Sequence, residues 1–188
     1  MMRLLDAIIE HNEQFVKNKK YEAYRTTKFP NKKLVILTCM DTRLLELLPA
    51  AMNVHYGDAK IIKNAGAIIS HPFGSIMRSI LVAIYELKAS EIMVVGHHGC
   101  GMLGLEAEQI LKKAEARGID MDDLKKLEYA GVNLKKFLTG VDSVEESVKR
   151  SVAMIKHHPL LPDDVPVHGL IICPETGKID VIVNGYKS

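Results

Sequence analysis

The chain has 188 residues, 47% of them apolar and 26% charged, enough for one globular domain around a single buried core. Its 25 basic and 23 acidic residues are interspersed and leave a formal charge of +2, which argues against nucleic-acid stripes and acidic tails. No apolar run approaches the roughly 20 residues that span a bilayer, and Asp6, Glu10 and Glu13 interrupt the region where a secretory leader would be apolar. A soluble, cytoplasmic protein with neither nucleic-acid nor membrane partners is expected.

In chain order, Leu5, Ile8, Ile9, Phe15 and Val16 recur at helical spacing and predict an amphipathic first helix ending near Lys17, Lys19 and Lys20. A polar stretch through Pro30 follows, so residues 1–29 read as a helical arm that can reach another subunit. Residues 34–37 form a short apolar β-rich run, the mark of a strand buried on both faces in a parallel sheet. A short helix over 44–48 leads to a strand starting at Ile61 and a turn at Gly66. The next helix opens near Ser75 with Ile76, Ile80, Ala83, Ile84 and Leu87 on one stripe, and residues 92–95 form a further buried strand.

Residues 105–117 read as a helix stopped by Gly118, and 120–137 as one or two helical pieces around Gly131. Asp142 and Glu145 predict a capping-box start for a helix bearing Val144, Val148, Val152 and Ile155, with Lys156, His157 and His158 in its last turn before Pro159. Strands over 167–173 and 179–183 complete the pattern, joined by a connection short enough for an antiparallel hairpin. The fold class is α/β: a central, mostly parallel sheet of four to five strands flanked by helices, in one domain over residues 1–188.

Ligands of open α/β sheets bind at the carboxyl ends of strands, and two cysteine motifs fall there. One is Cys39-Met40-Asp41-Thr42-Arg43; the other is Gly96-His97-His98-Gly99-Cys100-Gly101. Three cysteines, an odd number, suit metal ligation in a reducing compartment better than a disulfide framework. Two thiolates and one imidazole suit zinc, and three protein ligands leave a fourth tetrahedral position open, as catalysis requires. The His97-x-x-Cys100 spacing lets one tight loop supply two ligands, with Gly96, Gly99 and Gly101 read as easing its backbone. Asp41 and Arg43 add a charged pair beside Cys39.

Cys-x-Asp-x-Arg at 39–43 followed by His-x-x-Cys-Gly at 97–101 resembles the signature of the β-class carbonic anhydrases. Lys63-Asn64-Ala65-Gly66 is similar to another stretch of that family, with lysine where arginine is common. The resemblance implies a zinc ion on Cys39, His97 and Cys100, with a catalytic Asp41–Arg43 dyad beside it. It also implies a homodimer or dimer of dimers, the N-terminal helix packing on the partner subunit. The implied reaction is reversible hydration of carbon dioxide to bicarbonate and a proton, with a metal-activated hydroxide as nucleophile.

Two thiolates cancel metal charge that three neutral imidazoles would leave, so solvent should be acidified less strongly than at an all-histidine site and activity should favour alkaline pH. Asp41 has two expected roles: held by Arg43 it orients the nucleophile, and released it becomes a metal ligand in a closed form. Ala65, Ala67, Ile68 and Met102 are the expected neighbours of an apolar substrate. Cys173, before Pro174, reads as a buried structural thiol, and His98 receives no catalytic role. Two other functions fit the same residues: hydrolysis of carbon disulfide or carbonyl sulfide, and a non-catalytic zinc-stabilised interaction domain.

Overall fold

The apolar runs read as central strands lie at the middle of the sheet. A computed structural model describes residues 3–187. Strand β1 spans Leu34–Cys39 with all six residues buried, and β2 (Ala59–Asn64), β3 (Glu91–His97), β4 (Val167–Ile172) and β5 (Ile179–Val183) complete a five-stranded sheet. The spatial order is β2-β1-β3-β4-β5. All neighbours are parallel except β4 and β5, which form the expected antiparallel hairpin. Strands covered on both faces are mostly apolar, and β1 and β4 are accordingly buried along their length while β2 at the edge is half-exposed.

Helices cover both faces. Helix α2 (Leu44–Ala51) packs Leu44 and Leu48 on one side with Ile36, Val95 and Ile172, and Cys39 and Cys100 lie inside this smaller core. On the other side α3 (Ser75–Tyr85) contributes Met77, Ile80 and Ala83, and the last helix contributes Val148, Val152 and Ile155, against Val35, Leu37, Ile92 and Val94. Fully burying one such side chain contributes about 1.5–3 kcal/mol, so these two clusters hold the strand ends in place.

Three further helices, α4 (Ala107–Glu115), α5 (Met121–Tyr129) and α6 (Leu134–Leu138), precede the last one, α7 (Val144–Lys156). The cap of α7 is shifted by one residue from the expected pair: Ser143 Oγ accepts the backbone N–H of Glu146 at 3.3 Å. A serine next to an aspartate offers two capping oxygens, and the one in extended backbone geometry is used. Gly96 does not ease the loop backbone as expected. It sits inside β3, where a Cβ would meet Val148 Cγ2 at 2.8 Å, so its role is to let α7 lie close on the sheet.

The arm begins with α1 (Leu4–Lys17), which has no buried residue; Leu4 is 77% and Ile8 54% exposed. A 3-10 turn over Lys20–Tyr24 follows, and the arm meets the body through Tyr24, whose ring lies 5.7 Å edge-on from Tyr56. Among the described residues no helix is long and apolar enough to cross a membrane.

Candidate metal centre

Cys39 is the last residue of β1 and His97 the last of the adjacent β3, so the parallel register delivers both side chains to the same carboxyl edge. The chain then turns through Gly99, whose φ of +64° suits glycine, and returns Cys100 beside them. The backbone of His98 is pinned here, its N–H donating to the Ile172 carbonyl at 3.1 Å. The two sulfurs lie 4.0 Å apart, and the ligand atoms of Cys39, His97 and Cys100 all fall within 4.8 Å of one another. Two sulfurs on one tetrahedral zinc sit about 3.8 Å apart, given Zn–S distances of about 2.3 Å, so the cluster matches the size of the ion.

The imidazole is set up to give an electron pair. His97 Nδ1–H donates to the His98 carbonyl at 2.9 Å, which leaves the lone pair on Nε2. That nitrogen is buried, and among the described residues it has no hydrogen-bond partner. An orphaned buried acceptor is expensive, and a cation among Nε2 and the two sulfurs removes the deficit. The residues therefore fit a zinc ion. Burial pushes the Cys100 thiol up, with the neighbouring Cys39 adding to the effect, so its thiolate form calls for a cation beside it.

Asp41 hangs beside this group with its Oδ2 3.8 Å from His97 Nε2. Arg43 grips both carboxylate oxygens, its Nε–H donating to Oδ1 at 3.0 Å and its Nη2–H to Oδ2 at 2.7 Å, while its backbone N–H adds a bond to Oδ1 at 2.9 Å. The side-chain bonds, then the backbone bond, hold the Asp41 carboxyl far below the usual carboxylate range. Arg43 also donates to the Gly99 carbonyl at 3.2 Å and so ties the two ligand loops together.

Above the group opens a cavity of about 560 Å³, lined by Met40, Thr42, Ala65, Gly66, Gly101 and Met102 along with Cys39, Asp41, Arg43 and Cys100. Two of the four expected substrate neighbours, Ala65 and Met102, line it. Ala67 instead belongs to the buried core under α3, and Ile68 is outside the lining, because the chain turns inward after Gly66. Cys173 is a free, half-buried thiol and is not part of the three-residue group. The Thr176 side chain and nearby backbone bonds lower it from the ordinary thiol range. His158, expected as a polar residue at the end of a helix, is buried and packs 5.2 Å from the Phe73 ring.

Sequence reasoning did not find the backbone contacts to sulfur. The Gly66 N–H donates to Cys39 Sγ at 3.4 Å, a pairing across 27 positions that no local motif encodes.

Comparison with known proteins agrees with this geometry. The carbonic anhydrase family model matches residues 34–179. YvdA of Bacillus subtilis strain 168, provisionally named a carbonic anhydrase, is 67% identical over 184 residues, covering 98% of this chain and 93% of that protein. The crystal structure of β-carbonic anhydrase isoform I from Trichomonas vaginalis superposes with a TM-score of 0.89 at 35% identity, covering 98% of this chain and all of that one. A carbon disulfide hydrolase of Acidithiobacillus thiooxidans is 29% identical over 172 residues, 88% of this chain and 85% of that protein. With a family model over most of its length and such relatives, the chain belongs to the β-carbonic anhydrase family.

Proposed function

We propose that the protein is a zinc-dependent carbonic anhydrase that hydrates carbon dioxide reversibly to bicarbonate and a proton. The observation that carries this reading is the orphaned lone pair of His97 Nε2 beside two sulfurs 4.0 Å apart at the carboxyl edge of the sheet. Cys39, His97 and Cys100 would hold the ion, which when bound supplies Lewis-acid activation of a solvent molecule. Asp41, ionised through the whole working pH range, accepts a hydrogen bond from the reacting water and orients it. Arg43 occupies both carboxylate oxygens and keeps Asp41 from becoming a ligand itself. The methionine and alanine side chains of Met40, Ala65 and Met102 give the apolar wall that a small linear substrate needs.

One observation favours a second substrate class: carbon disulfide hydrolases share the family at 29% identity. Carbon disulfide is also linear and apolar, and the same residues would serve its hydrolysis. The interaction-domain reading needs a closed site, whereas among the described residues the group has three members.

The arm supports a homodimer or dimer of dimers, since α1 leaves Leu4, Leu5, Ile8 and Ile9 more than half exposed among the described residues. Residues 1–188 would then act as one domain with 1–29 as its arm, working in the cytoplasm, where the three free thiols stay reduced. Stopped-flow hydration assays beside carbon disulfide turnover, on protein of measured zinc content, test the proposal. Fast hydration with slow sulfide release supports it, and the reverse ratio assigns the second substrate.

A further inference from the structure

The turn after β2 carries no ligand, yet it brings a peptide N–H onto one of the two sulfurs. Gly66 donates to Cys39 Sγ at 3.4 Å, and the backbone N–H of Met102 bonds the Cys100 sulfur. To present Gly66 this way the chain takes two left-handed residues in succession, Gly66 at φ +80° and Ala67 at φ +57°. Alanine in that region is strained and persists only where its surroundings impose it.

Two side chains impose it. Asn64 spans the turn, its Nδ2–H donating to the Ile68 carbonyl at 2.6 Å and its Oδ1 accepting the Ile68 N–H at 3.2 Å. Ser151, 2% exposed on α7, reaches across from the far side of the core. Its hydroxyl donates to the Ala67 carbonyl at 3.3 Å and accepts the Ile69 N–H at 3.2 Å. A Cβ on Gly66 would lie 2.8 Å from Ile68 Cδ1 and 3.0 Å from Met102 Cγ, so those side chains would have to give way, and the φ of +80° strains any larger residue there.

We infer that Asn64 and Ser151 are positioning residues for the metal group: they lock the 65–67 turn so that the Gly66 N–H stays on the Cys39 sulfur. This rests on the metal-binding reading above. A hydrogen bond to a thiolate stabilises the sulfur lone pairs and reduces the charge the sulfur passes to a bound cation. Ser151 thereby connects α7, which supplies none of the three ligand residues, to the electron richness of the metal's coordination.

Cobalt(II) in place of zinc makes this visible, because its sulfur-to-metal charge-transfer band reports how tightly the sulfur holds its electrons. In the cobalt-loaded full-length protein, Ser151→Ala and Gly66→Ala are expected to move that band to longer wavelength. Zinc affinity, read by chelator competition, should weaken about tenfold, because a sulfur without that bond is protonated more readily and is less firmly placed, which outweighs its stronger donation. Ser147→Ala, which removes another buried hydroxyl from the same helix, should leave both unchanged. Ser151→Ala keeps the test alive if Gly66→Ala does not fold. Bands of cobalt-loaded Ser151→Ala and wild type that superimpose would overturn the inference, as would an equal shift in Ser147→Ala. A wild-type protein that takes up no cobalt and shows no band would instead overturn the metal reading beneath it.

Discussion

His97 and His168 are both buried, and among the described residues each has an Nε2 without a well-aligned hydrogen bond, yet they sit at opposite edges of the sheet with opposite chemistry. His97 gives its Nδ1 proton to the His98 carbonyl, so its Nε2 is a bare electron pair facing two sulfurs. His168 does the reverse. Its Nδ1 accepts the Gly185 N–H at 3.1 Å, which puts the proton on Nε2, 3.2 Å from Glu91 Oε1 and out of line for a hydrogen bond. Tyr186 closes that cluster, with its hydroxyl 2.7 Å from Glu91 and its ring 4.6 Å from the imidazole. Burial alone therefore does not mark a metal ligand. The backbone partner of the other ring nitrogen decides whether the imidazole offers a lone pair or a proton.

Replacing each histidine breaks the comparison most sharply. His97→Ala or Cys39→Ser should abolish stoichiometric zinc and all hydration activity, as measured by metal analysis and stopped-flow assay. His168→Ala should keep zinc and turnover. A His168 variant that loses its zinc would erase the distinction between the two sites.

Next in size is the dyad. Asp41→Asn should lower kcat/KM by roughly 100-fold, at the low end of what positioned acid–base groups contribute, with zinc content intact. Arg43→Lys, which replaces a two-pronged grip by a single point charge, should cost about tenfold. Because the folded pKa of Asp41 is depressed, its pairing stabilises the protein above the ordinary carboxylate range and is lost only as pH falls through the lowered value, in strong acid. Melting curves of wild type and Asp41→Asn should thus keep a constant separation from about pH 5 to 9 and converge in strong acid. A separation that closed near neutral pH would contradict the sign.

Stability effects are smaller. His168→Ala removes a buried imidazole that accepts the Gly185 N–H and packs 4.6 Å from the Tyr186 ring, and should cost about 1–3 kcal/mol in chemical denaturation. Smallest is the third buried imidazole, His158, whose Nδ1 accepts the Leu160 N–H at 3.2 Å. Phe73→Ala strips the exposed ring packed on it and should cost about 0.5–1.5 kcal/mol by the same measurement, with zinc unchanged.

How far the sequence revealed this arrangement follows the range of the interactions involved. The cores of β1 and β3 stand out as unbroken apolar runs because a doubly covered strand has no polar face to break them. The Cys39, His97 and Cys100 group was legible because strand ends in a parallel sheet share one edge, so two local motifs imply one site. Both strands run two residues further than those runs, through Cys39 and His97, since pairing continues where apolar character stops. The helical boundaries over 107–138 were less legible; α5 and α6 bury no residue, so no packing stripe marks their ends. Neither the tautomer of His97 nor the Ser151 contact across 84 positions leaves any trace in local sequence.

X-ray absorption at the zinc edge of the purified protein tests the central claim most directly. The expected first shell is two sulfurs at about 2.3 Å with two lighter atoms at about 2.0–2.1 Å, one of them the imidazole nitrogen and the other exchangeable. A protein without stoichiometric zinc, or a shell holding a third sulfur, would contradict it.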